Sequence, residues 1–277
     1  MTTLGQESHV AWWIALEAGD LDRLRALLQE GTDPNLRDKC GETALHRVAG
    51  DLEDEPAPEN LQIARLLLER GAEINVPDSN RQTPLMVAAH GGSEEMTDLL
   101  LKHGAHTEIK DNEGRTALMH GLCNAERVCQ LVEHGASLEA RDCHGRTALL
   151  GAVQRSYLKT VHVLLKQGAD TQAVDNQGET ALHVAVRQAA QQEQALRTLE
   201  ADVTSEQPKY PSAHRLLWLV RARREELQEV VRLLVQYGAK VDVSDNQGMT
   251  PLAHAEKEGA RLLQALTEAC PRPDDAV

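Results

Sequence analysis

The sequence predicts an all-α fold built from stacked pairs of helices, and three observations support this prediction. A short phrase recurs six times along the 277 residues, as in DNQGETALHVAV from Asp175 and DNQGMTPLAHAE from Asp245. About twenty residues after most copies, an apolar run ends in Gly-Ala. The apolar content is mostly Leu, Ala and Val, with no Phe, three Trp and three Tyr, which suits close helix packing better than a β-sandwich.

The six copies share an Asp, a Gly three residues later and a Thr two residues after that. The Gly position recurs at steps of 40, 33, 31, 33 and 70 residues, and Arg81 replaces Gly in the second copy. Gly permits the positive φ of a tight hairpin tip, and Thr can cap a helix by accepting a bond from a free N–H. The later apolar run predicts a second, amphipathic helix closed by a left-handed Gly. Each unit is therefore predicted to be a hairpin tip followed by two helices.

This pattern resembles the ankyrin repeat, through the segments GETALHRVA, QTPLMVAAHGG with LLLKHGA, and GETALHVAV. The resemblance covers about residues 8–270 and implies a solenoid of about seven helix-turn-helix units with short β-hairpin tips. Residues 1–7 and 271–277 are expected to be tails. Arg81 should cost roughly 1 kcal/mol if its φ is positive. The fourth unit is two residues short, and we expect it to be the least regular.

Two long steps between copies predict insertions. Residues 51–60 hold five acids and two prolines and predict a solvated loop. The 70-residue step contains two stretches without Gly or Pro, residues 180–201 and 212–237. These stretches predict two overlong helices, so that residues 189–225 would form a helical hairpin protruding from the stack. A degenerate extra repeat and a disordered segment are the alternatives, and the missing Gly-x-Thr phrase weighs against the former.

Composition and charge narrow the classes of function. Lys and Arg total 29 against 43 Asp and Glu, and a net charge of −14 disfavours binding to a phosphate backbone. Five cysteines at unrelated spacings predict a reducing compartment. The first twenty residues show no basic start and no long apolar run, so we expect neither a secretory signal nor a membrane span. A cytoplasmic monomer is the resulting expectation.

The resemblance implies that partner-binding residues lie at the hairpin tips and on the first-helix surface that faces a concave groove. Side chains at these places vary between units while the framework positions do not. The arginines among them, together with His144, could give the groove a basic character that suits an acidic partner. The candidate binding residues at these positions are Asn112, Glu113, Arg115, Cys143, His144, Arg146, Gln154, Arg155 and Arg187.

The second overlong helix is locally basic, and its cations surround a tryptophan. An Arg/Trp cluster has the composition of a protein-binding hot spot. Alternatively, Trp218 and Leu216 pack against Leu196 and Leu199 of the preceding helix, which leaves only the arginines available. The candidate residues of this segment are Arg215, Trp218, Arg221, Arg223 and Arg224.

The sequence gives little support for a catalytic, metal-binding or cofactor-binding site, and we expect no such site. Cys123 and Cys129 are six residues apart, which is not a zinc spacing, and no phosphate-binding or nucleophile motif occurs. The resemblance implies that His46 and His183 bond hairpin backbone. We therefore expect a non-enzymatic binder of a protein partner: an adaptor, a scaffold or a stoichiometric inhibitor, for example of a basic enzyme. Nucleic-acid binding through residues 207–224 and an enzyme of unknown class are the alternatives.

Overall fold

The computed structural model describes residues 3–50, 58–203 and 213–258, with side chains described for residues 9–50, 59–201 and 217–255. Most of the predicted acidic loop, the centre of the predicted helical hairpin and everything after residue 258, including the expected tail 271–277, lie outside these ranges. The chain divides into two compact units, Met1–Ser137 (unit 1) and Leu138–Val277 (unit 2).

Unit 1 contains four pairs of helices in its described residues. Within each row, neighbouring helices pack side by side: α3 on α5 and α5 on α7, then α2 on α4, α4 on α6 and α6 on α8. The first helices are Thr3–Glu17 (α1), Ala44–Ala49 (α3), Pro84–Gly91 (α5) and Ala117–His120 (α7). The second helices are Leu21–Gln29 (α2), Pro58–Glu69 (α4), Glu94–Lys102 (α6) and Ala125–Glu133 (α8). Each first helix buries a large apolar anchor: Trp12, Leu45, Leu85 and Leu118.

Helix α1 extends into the range predicted as an N-terminal tail. It begins at Thr3, so residues 3–7 are helical. Once a helix is nucleated, each added residue gains a hydrogen bond at no new nucleation cost, and Gly5 alone interrupts the helix formers here. Helix α4 begins at Pro58, within the range assigned to the acidic loop.

Unit 2 contains the two longest helices of the described chain. Its elements are Ala148–Gln154 (α9), Leu158–Lys166 (α10), Ala181–Val203 (α11), Ala213–Gln236 (α12) and Pro251–Glu258 (α13). Helix α11 packs on both α9 and α13, whereas α12 packs on α10 and along α11. Helix α11 therefore holds a first-helix position and α12 a second-helix position. Among the described residues, no helix combines the length and the apolar content needed to cross a bilayer.

The Asp of each hairpin tip explains why the phrase recurs. In the tip at Asp175, Oδ1 accepts backbone N–H bonds from Gln177 and Glu179, at 2.8 and 3.0 Å. The same pair of bonds forms in all five other tips. Burial alone would raise the pKa of Asp245, but N–H bonds from Met249 and Gln247 and a bond from a histidine ring outweigh it, and the pKa is lowered. The carboxylate thus closes the tip without any contribution from a partner.

Neighbouring tips are joined by a ladder of backbone hydrogen bonds. In unit 2, Asn176 N–H donates to the His144 carbonyl and Asn246 N–H donates to the Gln177 carbonyl, both at 3.0 Å. The second bond joins residues on either side of the 70-residue step, so the tips at 175 and 245 are neighbours. This arrangement, together with the packing of α11 and α12, is what a single repeat with lengthened helices would give.

The close approach of these tips requires glycine at their centre. Gly178 has a φ of 76°, and a Cβ there would lie 2.9 Å from the Asn246 backbone nitrogen. Gly238 has a similar φ of 87°, but nothing lies within 4 Å of its Cβ position. In the second tip Arg81 has a φ of 62°, so the strain expected from the sequence is present.

Gly178→Ala and Gly238→Ala form a matched pair that tests the contact across the 70-residue step. Gly238→Ala should lower the free energy of unfolding by about 1 kcal/mol, the cost of a left-handed backbone. Gly178→Ala should cost a further 1–3 kcal/mol or so, because its methyl group overpacks the next tip. Urea unfolding followed by far-UV circular dichroism measures both. Equal losses in the two variants would contradict direct stacking of the tips at 175 and 245.

Two buried histidines lock the start of the first helices to the next tip. The Thr43 backbone N–H donates to Nδ1 of His46 at 3.1 Å, and His46 Nε2 lies 3.0 Å from the Gln82 carbonyl. His183 repeats the pattern with Thr180 N–H at 3.1 Å and the Met249 carbonyl at 3.2 Å. Because a backbone N–H can only donate and a carbonyl can only accept, the ring is neutral and carries its proton on Nε2. The backbone-bonding role expected for His46 and His183 is therefore confirmed.

These histidines make stability depend on pH. Burial lowers the pKa of His46 and of His183, and the carbonyl bonds offset this only in part. Burial also lowers the pKa of His120, whose Nε2 lies 2.9 Å from the Asp111 carboxylate. The unfolded chain takes up protons near the ordinary histidine value of about 6.5, whereas the folded chain resists them. Stability is therefore complete above that value and falls as the pH drops below it.

We expect the urea concentration at the midpoint of unfolding to decrease when the pH is lowered from 7.5 to 5. His183→Ala should cost about 1–3 kcal/mol at pH 7.5, because two backbone groups lose their partner, and should weaken the pH dependence. His106→Ala, which removes an exposed histidine, is the control and should leave both quantities unchanged. A midpoint that is flat over this pH range in the unaltered chain would contradict neutral histidine caps.

The fourth repeat is irregular, as its missing two residues predict. Helix α7 ends at His120 and a single 3₁₀ turn, Gly121–Cys123, replaces the rest of the helix. Arg127 compensates, since its Nη1 donates to the carbonyls of Ala88 and Ala89 at 3.1 and 2.7 Å. Both carbonyls belong to the last turn of α5, where the Ala88 carbonyl also accepts the Gly92 N–H at 2.9 Å.

Arg127→Ala should lower the free energy of unfolding by about 1.5–3 kcal/mol, because two charge-assisted bonds to buried carbonyls are lost. Arg25→Ala is a suitable control, since it removes an exposed guanidinium whose partner is a neighbouring Asp on the same helix. That control should change stability by no more than about 0.5 kcal/mol. Equal effects on the urea midpoint would show that Arg127 does not support the shortened repeat.

Candidate protein-binding surfaces

Unit 2 contains a polar pocket of about 230 Å³ between two hairpin tips and the helices that follow them. One wall comes from the tip at Asp142 and from α9, and the other from the tip at Asp175 and from α11. The lining residues are His144, Arg146, Leu150, Gln154, Asp175, Asn176, Gln177, Glu179, Val184 and Arg187. Four of them, His144, Arg146, Gln154 and Arg187, are candidates from the sequence, and the fold brings these four together.

Arg146 is fully engaged within its own repeat. Its Nε and Nη2 lie 2.8 and 2.7 Å from Asp142 Oδ2, and its Nη1 donates to the Gln154 side chain at 2.8 Å. Asp142 closes the tip through its other oxygen. The guanidinium is therefore a fixed part of the pocket wall with its charge neutralised.

Arg187 forms a two-point ion pair with Glu179. The two bonds measure 3.1 Å from Nε and 2.7 Å from Nη2, and Glu179 is buried. Neither of these bonds uses Nη1, and the Arg187 side chain remains 42% exposed. Arg187 can therefore still donate to an acceptor group that enters the pocket.

The prediction of a basic groove is wrong. Arg146 and Arg187 each face a carboxylate of their own repeat, and in unit 1 Arg115 pairs with Asp111 at 2.9 Å. The sequence could not show this, since the acid partners lie four to eight residues away and only the tip geometry brings them into range. The surface around the pocket is polar and close to neutral.

The predicted tip residues divide into structural and exposed groups. Asn112 donates its backbone N–H to Asn80 and its side chain to the Ser79 carbonyl, at 3.0 and 3.3 Å. Glu113 lies 3.3 Å from Arg115. The side chains of Cys143, His144 and Arg155 are exposed, and Cys143 is a free thiol. The backbone carbonyl of Cys143 accepts a hydrogen bond from the Asn176 side chain in the next tip. Asn112 therefore serves the ladder, whereas Cys143, His144 and Arg155 are exposed to solvent.

Helix α12 presents a second candidate surface. Trp218 is 68% exposed and Leu219 is 49% exposed, while Leu217 between the two long helices is buried. The alternative in which Trp218 packs across the hairpin is therefore excluded. The buried positions of α12 follow a spacing of three and four residues from Leu217 through Leu227 to Leu234, and Trp218 and Leu219 lie off that stripe. Helical spacing was the signal that could have identified Leu219, which sequence reasoning missed.

The arginines of α12 differ in their partners. Arg221 pairs with Glu200 at 2.8 Å, and Arg224 pairs with the buried Glu193 at 3.3 Å. Arg223 is exposed and makes no ion pair with any residue that the structure describes. The side chain of Arg215 lies outside the described residues. The expectation of a row of solvated arginines thus holds for Arg223 and is corrected for Arg221 and Arg224.

Within the described ranges, no group of three His, Cys, Asp or Glu side chains is arranged to hold a metal ion. The hydrogen bonds of the repeated Asp, Thr and His residues are directed at backbone of their own or the next tip. The rows of paired helices and the ladder of tips define the class of the chain, a helical-repeat protein with variable side chains around a constant framework.

The chain belongs to the ankyrin-repeat family. A family model described as "Ankyrin repeats (3 copies)" matches residues 57–142 and 124–207, and one described as "Ankyrin repeats (many copies)" matches residues 13–51. Together these matches cover more than half of the chain. Ankyrin repeats are in general protein-interaction modules and typically have no catalytic activity of their own.

Two curated relatives match parts of the chain. Ankyrin repeat and SOCS box protein 16 of Mus musculus is 36% identical over 115 residues, which is 41% of this chain and 25% of that protein. Ankyrin repeat-containing protein P1E11.10 of Schizosaccharomyces pombe is 31% identical over 105 residues, which is 38% of this chain and 46% of that protein. The chain thus spans less than half the length of either relative.

Solved structures match more of the chain. The ankyrin repeat domain of Bcl-3, described as a member of the IkappaB protein family, has a TM-score of 0.69 and 25% identity, and the match covers 94% of this chain and 97% of that one. An ankyrin repeat domain from Acinetobacter baumannii has a TM-score of 0.62 at 24% identity, covering 81% of this chain and 96% of that one. The second match shows the fold alone.

Proposed function

We propose that this chain is a non-enzymatic binder of a protein partner, which contacts the groove formed by hairpin tips and first helices together with the segment 189–225. One observation carries the proposal. Around the unit 2 pocket, the framework side chains are fully used in closing the tips, while Gln177, Arg155 and the free edge of Arg187 face outward. Residues that vary between repeats and make few internal bonds are available for recognition.

The electrostatics of the pocket favour a partner of mixed polarity. Arg146 and Arg187 are neutralised by Asp142 and Glu179, so little net charge attracts a highly acidic surface over long range. Instead, fixed guanidinium, amide and imidazole groups offer donors and acceptors at defined positions, which favours specificity over rate of association. Adaptor, scaffold and stoichiometric inhibitor are all compatible with such binding, and we propose a monomer in a reducing compartment.

Nucleic-acid binding through residues 207–224 is a weaker candidate. Arg221 and Arg224 already pair with Glu200 and Glu193, so the described part of this segment has fewer free cations than its sequence implies. Binding to a phosphate backbone depends on many such contacts, and the net charge of −14 opposes it. A gel shift at physiological salt with single-stranded RNA and duplex DNA tests this alternative.

Affinity capture with the intact chain, followed by binding measurements on the purified partner, tests the proposal. Gln177→Arg with Arg155→Glu should weaken the partner's Kd by about tenfold or more, because an interface loses polar contacts and gains a repulsive charge. Lys159→Glu is the matched control, since it reverses an exposed charge on the second helix α10. The control should bind within about twofold of the unaltered chain. Urea midpoints for all variants report whether folding is intact.

Either of two results would count against the proposal. The pocket variant and the control could bind the partner equally well, which would place the interface elsewhere. Alternatively, no protein could be retained specifically while the pure chain turned over a substrate in a broad hydrolase and transferase screen. The second result would favour an enzyme.

A further inference from the structure

The carboxylate of Asp175 has an oxygen that its hairpin tip does not use. Its Oδ1 accepts the two N–H bonds that close the tip, whereas its Oδ2 has no hydrogen bond or ion pair among the described residues. Asp175 is half-buried and lines the pocket of unit 2. A carboxylate oxygen forms strong hydrogen bonds with charged donors. The pocket therefore contains an unused acceptor at a fixed position.

Other tips show which group this oxygen takes. In three of them a guanidinium of the same repeat lies against it. The pairs are Asp38 with Arg47, Asp111 with Arg115 and Asp142 with Arg146, at 2.9, 2.9 and 2.7 Å. In the tip at Asp245, the ring of His254 lies 3.3 Å from the same oxygen. A positively charged or N–H donor is thus the usual partner of Oδ2.

The repeat of Asp175 has no donor at the positions that supply these groups. In the other tips the donor is the fourth or the ninth residue after the Asp, and here those residues are Glu179 and Val184. The ionised Glu179 carboxylate can only accept, and it holds Arg187 through two bonds. Val184 has no polar side-chain atom. Asp175 is therefore left without the guanidinium that the tips at 38, 111 and 142 obtain from their own repeats.

The other carboxylates and guanidiniums of the pocket are already paired. Arg146 faces Asp142 at 2.7 Å, and Arg187 faces Glu179 at the same distance. Asp175 is thus the lining residue whose formal charge has no counter-ion among the lining groups. A cation that enters the pocket would complete this set of pairs.

Two further cations lie near the pocket but do not line it. Arg141 donates to the backbone carbonyls of Gly145 and Val174, and Arg155 is exposed at the end of α9. Neither forms an ion pair with Asp175. Because water and salt weaken the effect of charges that are not in contact, these two arginines do not replace the hydrogen bond that Oδ2 lacks.

The apolar residues of the pocket suit a long side chain. Leu150 and Val184 line it together with the polar groups, in a volume of about 230 Å³. The methylene groups of arginine pack along apolar surface while the charged end reaches a polar partner. The pocket therefore provides a place for both parts of an arginine side chain.

We infer that the pocket of unit 2 receives an arginine side chain of the protein partner, whose guanidinium donates to Asp175 Oδ2 and whose methylene groups contact Leu150 and Val184. This inference rests on the proposed function and names the group that the partner inserts. The inserted arginine completes the tip at Asp175 as Arg115 and Arg146 complete their own tips. Arginine is also among the residue types that most often dominate the binding energy of an interface.

Blocked amino acids test the pocket before the partner is known. The probe is N-acetyl-arginine methylamide, and its matched control is N-acetyl-citrulline methylamide, which has a similar shape and no charge. Titrated into the ¹⁵N-labelled full chain, the arginine probe should shift the backbone amide signals of Gln177 and Glu179, which donate to Asp175. We expect a Kd of about 10 mM or lower. The citrulline probe should bind at least about fivefold more weakly, because its bond to the carboxylate is not charge-assisted on both sides.

Asp175→Asn removes the acceptor and keeps the tip closed. The amide retains one oxygen for the two N–H bonds and replaces the other with an NH₂ donor, so the arginine probe should bind at least about fivefold more weakly. Asp78→Asn is the matched control, since Oδ2 of Asp78 also has no partner among the described residues but does not line this pocket. That control should bind the probe within about twofold of the unaltered chain. Urea midpoints report the folding of both variants, and the comparison of arginine with citrulline needs no variant.

Four results would overturn the inference. The arginine and citrulline probes could bind equally, or Asp175→Asn could fold and bind the arginine probe normally. Alternatively, N-acetyl-glutamate methylamide could bind more tightly than the arginine probe, which would show that the pocket takes an acceptor through Arg187. No saturable shift with the arginine probe at about 50 mM would also exclude an arginine site.

The partner recovered by affinity capture separates this inference from the broader proposal. If Asp175→Asn binds that partner normally while the variant with Gln177→Arg and Arg155→Glu does not, the arginine site fails and the protein-binding function stands. If both variants weaken binding, both proposals hold, and one arginine of the partner should show a coupling energy with Asp175 in a double-mutant cycle. If neither variant changes binding, the pocket is not the interface and the inference fails. Failure of the proposed function itself would appear as a pure chain that retains no protein.

Discussion

The two backbone bonds that each tip Asp accepts through one carboxylate oxygen are the constraint on which the rest of the structure depends. They close a tight turn in which one backbone carbonyl accepts an N–H of the next tip, as His144 accepts from Asn176 and Gln177 accepts from Asn246. Because the tips can join only at this separation, each following helix pair is delivered to the same place relative to the one before it. The rows of first and second helices within each unit are the result.

Most side chains near the tips are used by the framework, and a small set of exposed side chains remains for the recognition that we propose. Asp, Thr and His groups are occupied with backbone, and the buried Leu anchors with one another, so changing them changes the framework. The arginines nearest the tips are also held, by acids of their own repeat. The exposed surface around the unit 2 pocket is therefore polar and close to neutral, and the binding that we propose there would depend on fit and hydrogen bonding more than on net charge.

Helices α11 and α12 add a surface of a different kind. Helix α11 occupies a first-helix position and α12 a second-helix position in unit 2. The two helices pack along each other, Leu196 and Leu217 are buried, and Glu193 pairs with Arg224. Because α11 and α12 are held together by these contacts, Trp218 remains exposed on α12 and does not pack against α11. The same ion pairs hold Arg221 and Arg224 against acids of α11, whereas Arg223, Glu225 and Glu226 of α12 are exposed.

The sequence by itself determined the repeating unit, the positions of the tips and caps, the irregular fourth repeat and the two overlong helices. Each of these follows from local chemistry: a Gly with positive φ, a Thr or His at a helix start, a run without Gly or Pro. The tertiary structure added the direct bond between the tips at 175 and 245, the pairing of Arg146, Arg187 and Arg224 with acids, and the exposure of Trp218. These facts depend on which residues meet across turns and between helices, and that pairing is a property of three-dimensional packing, which local sequence does not encode.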